Sequence, residues 1–513
     1  MKKPLVIHPF MFGIFPILFL FSYNIRRTTE SLGNITIDDI IAPIAIIICF
    51  TFGLYALLSF ILKDKQLAGL SSSLFLLLFF SYGHVYIMGD FDNTIVRHRY
   101  LLPAFIFIWA TSFYLSIKIR RDLHNLTNYL NIVAFSLVLI SLVNIGVEEL
   151  KMRVTWPGNE STEIREGNIV ASGTSGTLRD IYYIILDGYA SSSNLKECCE
   201  YDNSEFINYL IRQGFYIASK SYSNYTSTVP SLASSLNMEY INYLTDVYGD
   251  EGSSTNKQMG LRLTQMIRDN KVARVLREKG YRYVYITSST KHAKNVDIQM
   301  DVRCGRMSDF NIKLVSTTMF RALDGIFHIT GEGKRKAVLC YFSKLADVQR
   351  IKGPKFVFSV IPVPHPPYVF GRNGEQIGRT KSTDRIWTPK EEYVDQLVFV
   401  SKQVQVLVQK LLSGTDILPI IILQGDHGPS FSSEPEPRES MRILNAYHLP
   451  VGGKDNLYDS ITPVNSFRLI YNYYFNANYD LLGDRIYYSN PTMDEEVLKF
   501  IDITDKVRFD QGE

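Results

Sequence analysis

The chain has 513 residues, which is too long for one ordinary domain and sufficient for two or three. Hydrophobic residues make up 46% of it and the formal net charge is +3, so neither composition nor charge indicates a nucleic-acid partner. The apolar residues are unevenly distributed: long apolar runs fill the N-terminal part, and short runs alternating with polar stretches follow.

Five segments near the N-terminus are apolar for about 20 residues, the length that a helix needs to cross a bilayer. They are residues 5–23, 40–62, 66–88, 101–119 and 128–147. The first follows Met1-Lys2-Lys3 but lacks a small-residue cleavage site, so we interpret it as a retained span and not as a signal peptide. Residues 1–150 are therefore predicted to be an α-helical transmembrane domain.

Lys and Arg residues in the short loops predict that the N-terminus is inside, and Lys118-Ile119-Arg120-Arg121 is the strongest cluster on that side. With five spans, everything after residue 150 is then extracytoplasmic, whereas an even number of spans would reverse this. Arg97-His98-Arg99 precedes the fourth span. We interpret it as an interfacial anchor, with contact to lipid headgroups or to an anionic substrate as the alternative.

The remainder of the chain has the pattern of an α/β domain. Residues 151–178 are polar, rich in Gly, Ser and Thr, and are interpreted as a linker. Four short apolar runs are predicted to be buried strands: 181–186, 281–286, 356–363 and 418–423. Helix-like stretches lie between them: 203–214, 258–279 and 390–413. This alternation predicts a mostly parallel sheet with helices on both faces over residues 179–490, followed by a C-terminal tail, 491–513.

The cysteines leave one question open. There are five of them and no Cys-x-x-Cys pair, which argues against a thiolate zinc site. Cys304 and Cys340 are either a disulfide or two buried thiols.

Polar residues with metal-binding chemistry follow three of the predicted strands. Asp187-Gly188 ends the first run, Asp426-His427 ends the last, and His365 follows the run at 356–363. Ligands of open α/β sheets bind beyond the carboxyl ends of the strands. Two carboxylates and an imidazole suit Mn²⁺, Zn²⁺ or Mg²⁺. The adjacent glycines let the backbone turn and leave room for a ligand.

A hydroxyl-rich loop, Thr226-Ser227-Thr228, leads into a predicted helix with Pro230 in its first turn. A hydroxyl at this place faces the positive end of the helix, where a phosphate is stabilised. Coordination to a metal would turn such a hydroxyl into a nucleophile. All three hydroxyls are candidates, and the spacing to Pro230 and Ser231 favours Thr228.

With these motifs, the sequence resembles the sulfatase-like branch of the alkaline phosphatase superfamily. It is similar in layout to lipoteichoic acid synthases and phosphoethanolamine transferases, which have about five spans, a linker and an outward-facing catalytic domain. The resemblance implies that Asp187, Asp426 and His427 bind the metal together with Thr228, the catalytic nucleophile. It also implies that His365 contacts the substrate phosphate.

Two departures from the family pattern limit the implied activity. Thr228-Val-Pro-Ser231 stands where sulfatases have Cys-x-Pro-Ser-Arg, and a threonine cannot become the formylglycine that sulfatases need. The Trp and Arg substrate contacts of lipoteichoic acid synthases have no match here. Lys291, which follows the strand at 281–286, is our candidate for a further substrate contact, although solvated loop residues are common at such places.

The resemblance implies a membrane enzyme with one divalent ion, Mn²⁺ or Zn²⁺, with Mg²⁺ as a further candidate. The expected reaction moves a phospholipid headgroup, phosphoglycerol or phosphoethanolamine, to a cell-surface glycan or lipid through a phospho-threonine. One alternative is a membrane-anchored phosphodiesterase, phosphatase or sulfatase-like hydrolase, which passes the group to water. Another alternative is a non-catalytic membrane protein that binds glycan.

Overall fold

The structure is a computed structural model that describes residues 4–25, 37–89, 98–118, 123–154, 178–248, 253–287, 300–304, 309–327, 329–377, 387–432, 436–489 and 499–509. Its helices are α1 (His8–Ile25), α2 (Asp38–Leu62), α3 (Lys65–Gly89), α4 (His98–Lys118), α5 (His124–Val154), α6 (Ser192–Cys199), α7 (Ser204–Arg212), α8 (Thr228–Asn237), α9 (Tyr243–Tyr248), α10 (Ser253–Arg268), α11 (Lys271–Glu278), α12 (Asp309–Thr317), α13 (Phe320–Phe327), α14 (Ile329–Asp347), α15 (Lys390–Leu412), α16 (Pro437–Met441), α17 (Pro463–Phe475) and α18 (Thr504–Phe509). Its strands are β1 (Ile181–Leu186), β2 (Tyr216–Ile217), β3 (Arg282–Thr287), β4 (Met300–Arg303), β5 (Lys355–Ile361), β6 (Ile420–Gln424), β7 (Asn445–His448), β8 (Tyr487–Tyr488) and β9 (Ile501–Asp502).

The chain divides into two compact units. The first holds Met1–Arg27, Gly33–Glu160 and Met307–Thr330, and the second holds Thr28–Leu32, Ser161–Arg306 and Gly331–Glu513. The predicted domain boundaries at residues 150, 178 and 490 stay predictions.

The first unit contains the long apolar helices α1 to α5, and each predicted span coincides with one of them. Within the described residues, α2, α3 and α5 contain segments that are long and apolar enough to cross a membrane, by length and composition: Asp38–Leu62, Lys65–Met88 and His124–Val147. Their outward-facing side chains are apolar, as contact with lipid requires, and Ile46, Phe52 and Phe60 are each more than half exposed. The total of five spans stays a prediction.

Two helices from much later in the chain, α12 and α13, also belong to the first unit. Phe310 is fully buried there, with its ring 6.0 Å from that of Phe21. Phe320 packs on Phe79 at a ring separation of 5.2 Å. The sequence pattern did not indicate this return of the chain to the apolar helices.

The second unit is built on a seven-stranded sheet with the order β2-β7-β6-β1-β5-β3-β4. Neighbouring strands are parallel from β6 to β4, and β7 alone runs in the opposite direction. This confirms the predicted mostly parallel α/β fold. The strand β1 has the predicted bounds because all six of its residues are buried apolar or aromatic side chains.

Helices cover both faces of this sheet. Tyr183 and Ile185 of β1 point into a core shared with α8 and α17, whereas Tyr182 and Ile184 point into a core shared with α15. This alternation is the period of two that a strand imposes on its side chains. Because both faces of the sheet are buried, the sequences of its strands are continuous apolar runs.

The predicted helix over 258–279 is wrong in one respect, because the chain forms two helices there. The side chain of Asn270 accepts a hydrogen bond of 2.7 Å from the backbone N–H of Ala273 and caps the start of α11. Asparagine at this place ends one helix and begins the next.

The open question about the cysteines is resolved in favour of a disulfide between Cys304 and Cys340. Both residues lie in the second unit, while Met307–Thr330, between them in sequence, belongs to the first.

Candidate metal centre and nucleophile

The register of the sheet brings the two candidate acids together. β1 and β6 are parallel neighbours in which Ile185 pairs with Gln424. Asp187 and Asp426 each follow two residues later, so they leave the same edge of the sheet side by side. The predicted convergence of these two strand ends is therefore present in the structure.

Asp187, Asp426 and His427 form a group whose ligand atoms all lie within 4.8 Å of one another, the one such group of three or more in the part of the chain that the structure describes. The Nε2 atom of His427 is 3.6 Å from Oδ1 of Asp187 and 3.6 Å from Oδ2 of Asp426. These distances leave space for one ion between the three side chains.

Hydrogen bonds fix the direction of both buried ligands. Oδ1 of Asp426 accepts the backbone N–H groups of Gly188 and His427, each at 3.0 Å. Oδ2 of the same side chain is buried and has no hydrogen-bond partner among the described residues. A buried carboxylate oxygen without a partner is costly unless it binds a cation. Asp426 therefore fits a metal ligand.

A hydrogen bond also fixes the direction of the His427 side chain. Its Nδ1 lies 2.8 Å from the carbonyl oxygen of Gly428. Because a carbonyl only accepts hydrogen bonds, Nδ1 carries the hydrogen, and Nε2 is the atom that faces the carboxylates. An imidazole held through one nitrogen and binding through the other is usual for metal ligands.

Burial and the neighbouring charges shift the pKa values of Asp426 and His427. Burial raises the pKa of Asp426, and the negative charge of Asp187 raises it further, against opposing effects of His427, Thr228 and Gly188. Burial lowers the pKa of His427, but the charges of Asp426 and Asp187 and the hydrogen bond to Gly428 outweigh it, so the net shift is upward. A divalent cation would relieve the repulsion between the two carboxylates.

Thr228 is the first residue of α8. Its Oγ1 lies 3.3 Å from Nε2 of His427, so the hydroxyl borders the same space as the three ligands. The hydroxyl of Thr226 instead contacts Oγ of Ser489 at 2.7 Å, and the side chain of Ser227 makes no capping hydrogen bond. Among the three competing hydroxyls, the contact with His427 favours Thr228.

His365 follows β5 at the same edge of the sheet. Its backbone N–H donates to the carbonyl oxygen of Asp187 at 3.0 Å, and its ring lies 6.2 Å from that of His427. Its Nδ1 is 2.8 Å from the carbonyl oxygen of Pro366, which directs Nε2 away from the backbone. Lys291, the other predicted substrate contact, lies outside the described residues.

Trp387 lines the site, and the sequence did not predict that it would. Its ring lies 4.6 Å from that of His365 and 5.8 Å from that of His427. A Cβ atom on Gly188, whose φ is +76°, would stand 2.3 Å from this ring. The space beside Gly188, which we expected a ligand to use, is thus filled by an indole. No local pattern around Trp387 marks it as part of a site.

One comparison with known proteins identifies the family of the chain. A family model described as Sulfatase matches residues 193–468, more than half of the chain, and the protein therefore belongs to the sulfatase family. The match includes Thr228, His365, Asp426 and His427 and begins after Asp187. A sulfatase-family domain that contains these side chains is an enzyme domain with a site for a divalent metal. A search of curated proteins found no significant match.

Three solved structures are similar to the chain at low identity. The periplasmic domain of EcEptC from Escherichia coli, in complex with Zn, has 11% identity and a TM-score of 0.44, covering 66% of this chain and 95% of that one. The periplasmic domain of phosphoethanolamine transferase EptC from Campylobacter jejuni has 11% identity and a TM-score of 0.38, with coverages of 60% and 92%. The soluble domain of lipooligosaccharide phosphoethanolamine transferase A from Neisseria meningitidis has 12% identity and a TM-score of 0.38, with coverages of 58% and 88%.

Proposed function

We propose that the protein is a metal-dependent phosphotransferase that moves a phospholipid headgroup to a hydroxyl of a cell-surface glycan or lipid. Phosphoglycerol and phosphoethanolamine are the two candidate headgroups. The observation that carries the proposal is the contact of 3.3 Å between Thr228 Oγ1 and His427 Nε2, at the start of a helix, in a chain that also has helices long and apolar enough to cross a membrane. A lipid donor lies in the bilayer, which a membrane-bound enzyme reaches directly.

One divalent ion, Mn²⁺ or Zn²⁺ with Mg²⁺ as a further candidate, would be held by Asp187, Asp426, His427 and Thr228. Such an ion lowers the pKa of a coordinated hydroxyl and stabilises charge on the transferred group. The ligand set of two carboxylates, one imidazole and one hydroxyl is compatible with all three metals. A second ion would need further ligands, and a remaining histidine, His448, pairs with Ile421 near the beginning of β6. At about 3.3 Å per residue, that place is roughly 16 Å of strand away from Asp426.

In the first half of the reaction, Thr228 Oγ1 attacks the phosphorus of the lipid headgroup. The new bond is Thr228 Oγ1–P, and the bond that breaks joins phosphorus to the oxygen of diacylglycerol. The proton lost from the hydroxyl ends on that leaving oxygen, so the products are diacylglycerol and a phospho-threonine. The first turn of α8 presents backbone N–H groups to the phosphate.

In the second half, the hydroxyl of the acceptor attacks the same phosphorus. The Thr228 Oγ1–P bond breaks, Thr228 regains its proton, and the acceptor carries the headgroup. We assign His365 and Lys291 to contacts with the substrate phosphate. Trp387 packs against His365 and keeps the imidazole ring of His365 at the edge of the site.

An extracytoplasmic position of the second unit is part of the proposal. It follows from five spans and an inside N-terminus. The disulfide between Cys304 and Cys340 supports it independently, because disulfides persist in oxidising compartments and are rare in the cytosol.

The test is incubation of the full chain with headgroup-labelled phospholipid and Mn²⁺, followed by mass spectrometry of the peptide that contains Thr228. We expect a phosphodiester on Thr228 in the wild type and none in Thr228→Ala, whose turnover should fall by at least about a thousandfold. Ser227→Ala is the matched control, because this neighbouring side chain makes no capping hydrogen bond. Full turnover by metal-loaded Thr228→Ala would overturn the mechanism.

Membership of the sulfatase family keeps a hydrolase as the second candidate, in which water replaces the acceptor hydroxyl. The same incubation separates the two. Release of free glycerol phosphate or phosphoethanolamine at an unchanged rate, with and without acceptor, would favour the hydrolase. Transfer that requires the acceptor would favour the transferase.

A further inference from the structure

A cluster of aromatic and basic side chains in the first unit has no part in the proposed reaction. It consists of Tyr82 and Tyr86 of α3, His98 of α4 and Arg321 of α13, and we call it the interface cluster. His98 belongs to the basic motif that precedes the fourth predicted span. Arg321 comes from the pair of helices that returns to the first unit from late in the chain.

The interface cluster is a stack of flat groups. The guanidinium of Arg321 lies 4.9 Å from the ring centre of Tyr86. The ring of Tyr86 also stacks on the imidazole of His98, whose ring centre is 4.1 Å away and whose plane differs by 6°. The hydroxyl of Tyr82 is 2.9 Å from Nδ1 of His98. An isolated anchor side chain would project singly, whereas here three elements hold one another in place.

The helix pair α12–α13 is firmly seated where it brings Arg321 to this stack. The backbone N–H of Met319 donates a hydrogen bond of 2.9 Å to the carbonyl oxygen of Phe79 in α3. Close approach depends on Gly83, because a Cβ there would lie 2.2 Å from the carbonyl oxygen of Ser316. Arg321 itself donates from Nη1 to that same oxygen at 3.3 Å.

The position of the interface cluster along the helices indicates its surroundings. Tyr86 is three residues before the end of α3 at Gly89, and His98 begins α4. At 1.5 Å per residue, Tyr86 is within about 5 Å of the end of its helix. By length and composition, the candidate span in α3 runs to Met88, so this end of the helix would meet the headgroup region when α3 crosses a bilayer.

We propose that the interface cluster binds the phosphate of an anionic phospholipid headgroup. A guanidinium is a planar fork of N–H donors that matches phosphate oxygens, and stacking on an aromatic face holds the fork in one plane. Tyr82 and Tyr86 are buried and hold the imidazole and the guanidinium in place, so the contacts with the phosphate fall to Arg321 and His98. This site goes beyond the proposed reaction, since lipid binding here requires neither the metal nor Thr228.

The experiment is native mass spectrometry of the full chain in detergent, in metal-free buffer and with the change Thr228→Ala, so that turnover plays no part. Phosphatidylglycerol is titrated in one arm and phosphatidylcholine in another. We expect Arg321→Gln to weaken phosphatidylglycerol binding by at least about fivefold. Arg321→Lys should weaken it less, because lysine keeps the positive charge and loses only the planar arrangement of N–H donors of the guanidinium. Phosphatidylcholine binding should not change.

The matched control is Lys118→Gln. Lys118 lies at the other end of α4, 6.0 Å from the ring centre of Tyr114, so it is also a cation over an aromatic ring. This variant should bind phosphatidylglycerol as the wild type does. Equal losses in the two variants, or no loss in either, would overturn the proposal. Displacement of the lipid by an equal concentration of inorganic phosphate would overturn the assignment to a lipid.

A second measurement does not depend on the folding of any variant. Phosphatidylglycerol with a photoreactive headgroup is crosslinked to the wild-type chain, and the labelled peptides are identified. We expect labels in the peptides that contain His98 and Arg321. Labels confined to other parts of the first unit would contradict the site.

Discussion

The backbone N–H of Gly188 donates a hydrogen bond of 3.0 Å to Oδ1 of Asp426. The turn after β1 thus holds the carboxylate that follows β6 and leaves the other oxygen of Asp426 directed into the candidate metal centre. A residue next to one candidate metal ligand therefore orients another.

Replacement of Asp426 should remove the metal. Asp426→Asn keeps the shape of the side chain but loses its charge, so we expect the affinity for Mn²⁺ or Zn²⁺ to fall by at least about a hundredfold in isothermal titration calorimetry. Asp395→Asn is the control, because Asp395 is a surface carboxylate paired with Arg372. Equal affinities for the wild type and Asp426→Asn would mean that the ion binds elsewhere.

The affinity for the metal should rise with pH. Protons and the ion compete for the same ligand atoms, and the pKa values of Asp426 and His427 are both raised in the metal-free site. Because its pKa is raised, His427 stays protonated at pH values above 6.5, the ordinary pKa of histidine. We therefore expect the dissociation constant to keep falling as pH increases above 6.5, by up to about tenfold per pH unit for each proton displaced. A dissociation constant that stays flat between pH 6 and 8 would contradict this.

An alanine at position 188 should damage the fold of the site. Gly188→Ala would place a methyl group against the ring of Trp387 in a backbone conformation with φ of +76°. Gly280→Ala is the control, because its φ is +86° but its Cβ would meet no atom within 4 Å. We expect the control to lose about 1 kcal/mol of stability from backbone strain. Gly188→Ala should lose at least about 1 kcal/mol more from the clash, measured by denaturant unfolding. Equal losses would show that Trp387 moves aside without cost.

Loss of the disulfide should destabilise the second unit. Cys304 and Cys340 are 36 residues apart, and a crosslink that closes a loop of this length contributes about 2–4 kcal/mol. Cys304→Ser should therefore lower the midpoint of thermal unfolding, and a reducing agent should lower that of the wild type by a similar amount. Cys49→Ser, which removes a free and exposed cysteine, should leave the midpoint unchanged. A reducing agent without effect would argue that the thiols are unpaired in solution.

The sequence predicted the parts of the fold that depend on local pattern. The run at 181–186 could be recognised because β1 is buried on both faces, and α15 because its apolar residues recur at helical spacing. The convergence of Asp187, Asp426 and His427 followed from a general property of parallel sheets, whose carboxyl ends share one edge.

Other parts of the fold and of the site depend on contacts between residues that are distant in sequence, and no local sequence pattern predicts such contacts. Trp387 reaches the site through the packing of its ring on Gly188, 199 residues earlier in the chain. The helices α12 and α13 are short and look like ordinary amphipathic elements of an α/β domain. Tertiary contacts, such as that of Phe310 with Phe21, show that they belong with the N-terminal helices.

The membership of α12 and α13 in the first unit has a practical consequence for dissecting the protein. A fragment that begins after the linker would keep Asp309–Phe327 but lose every N-terminal helix on which these residues pack. Phe310 and Leu314, which are buried in the intact chain, would then face water and favour aggregation. A soluble catalytic fragment therefore requires excision of this segment, with Cys304 and Cys340 kept so that their disulfide still joins the parts of the second unit on either side of the cut.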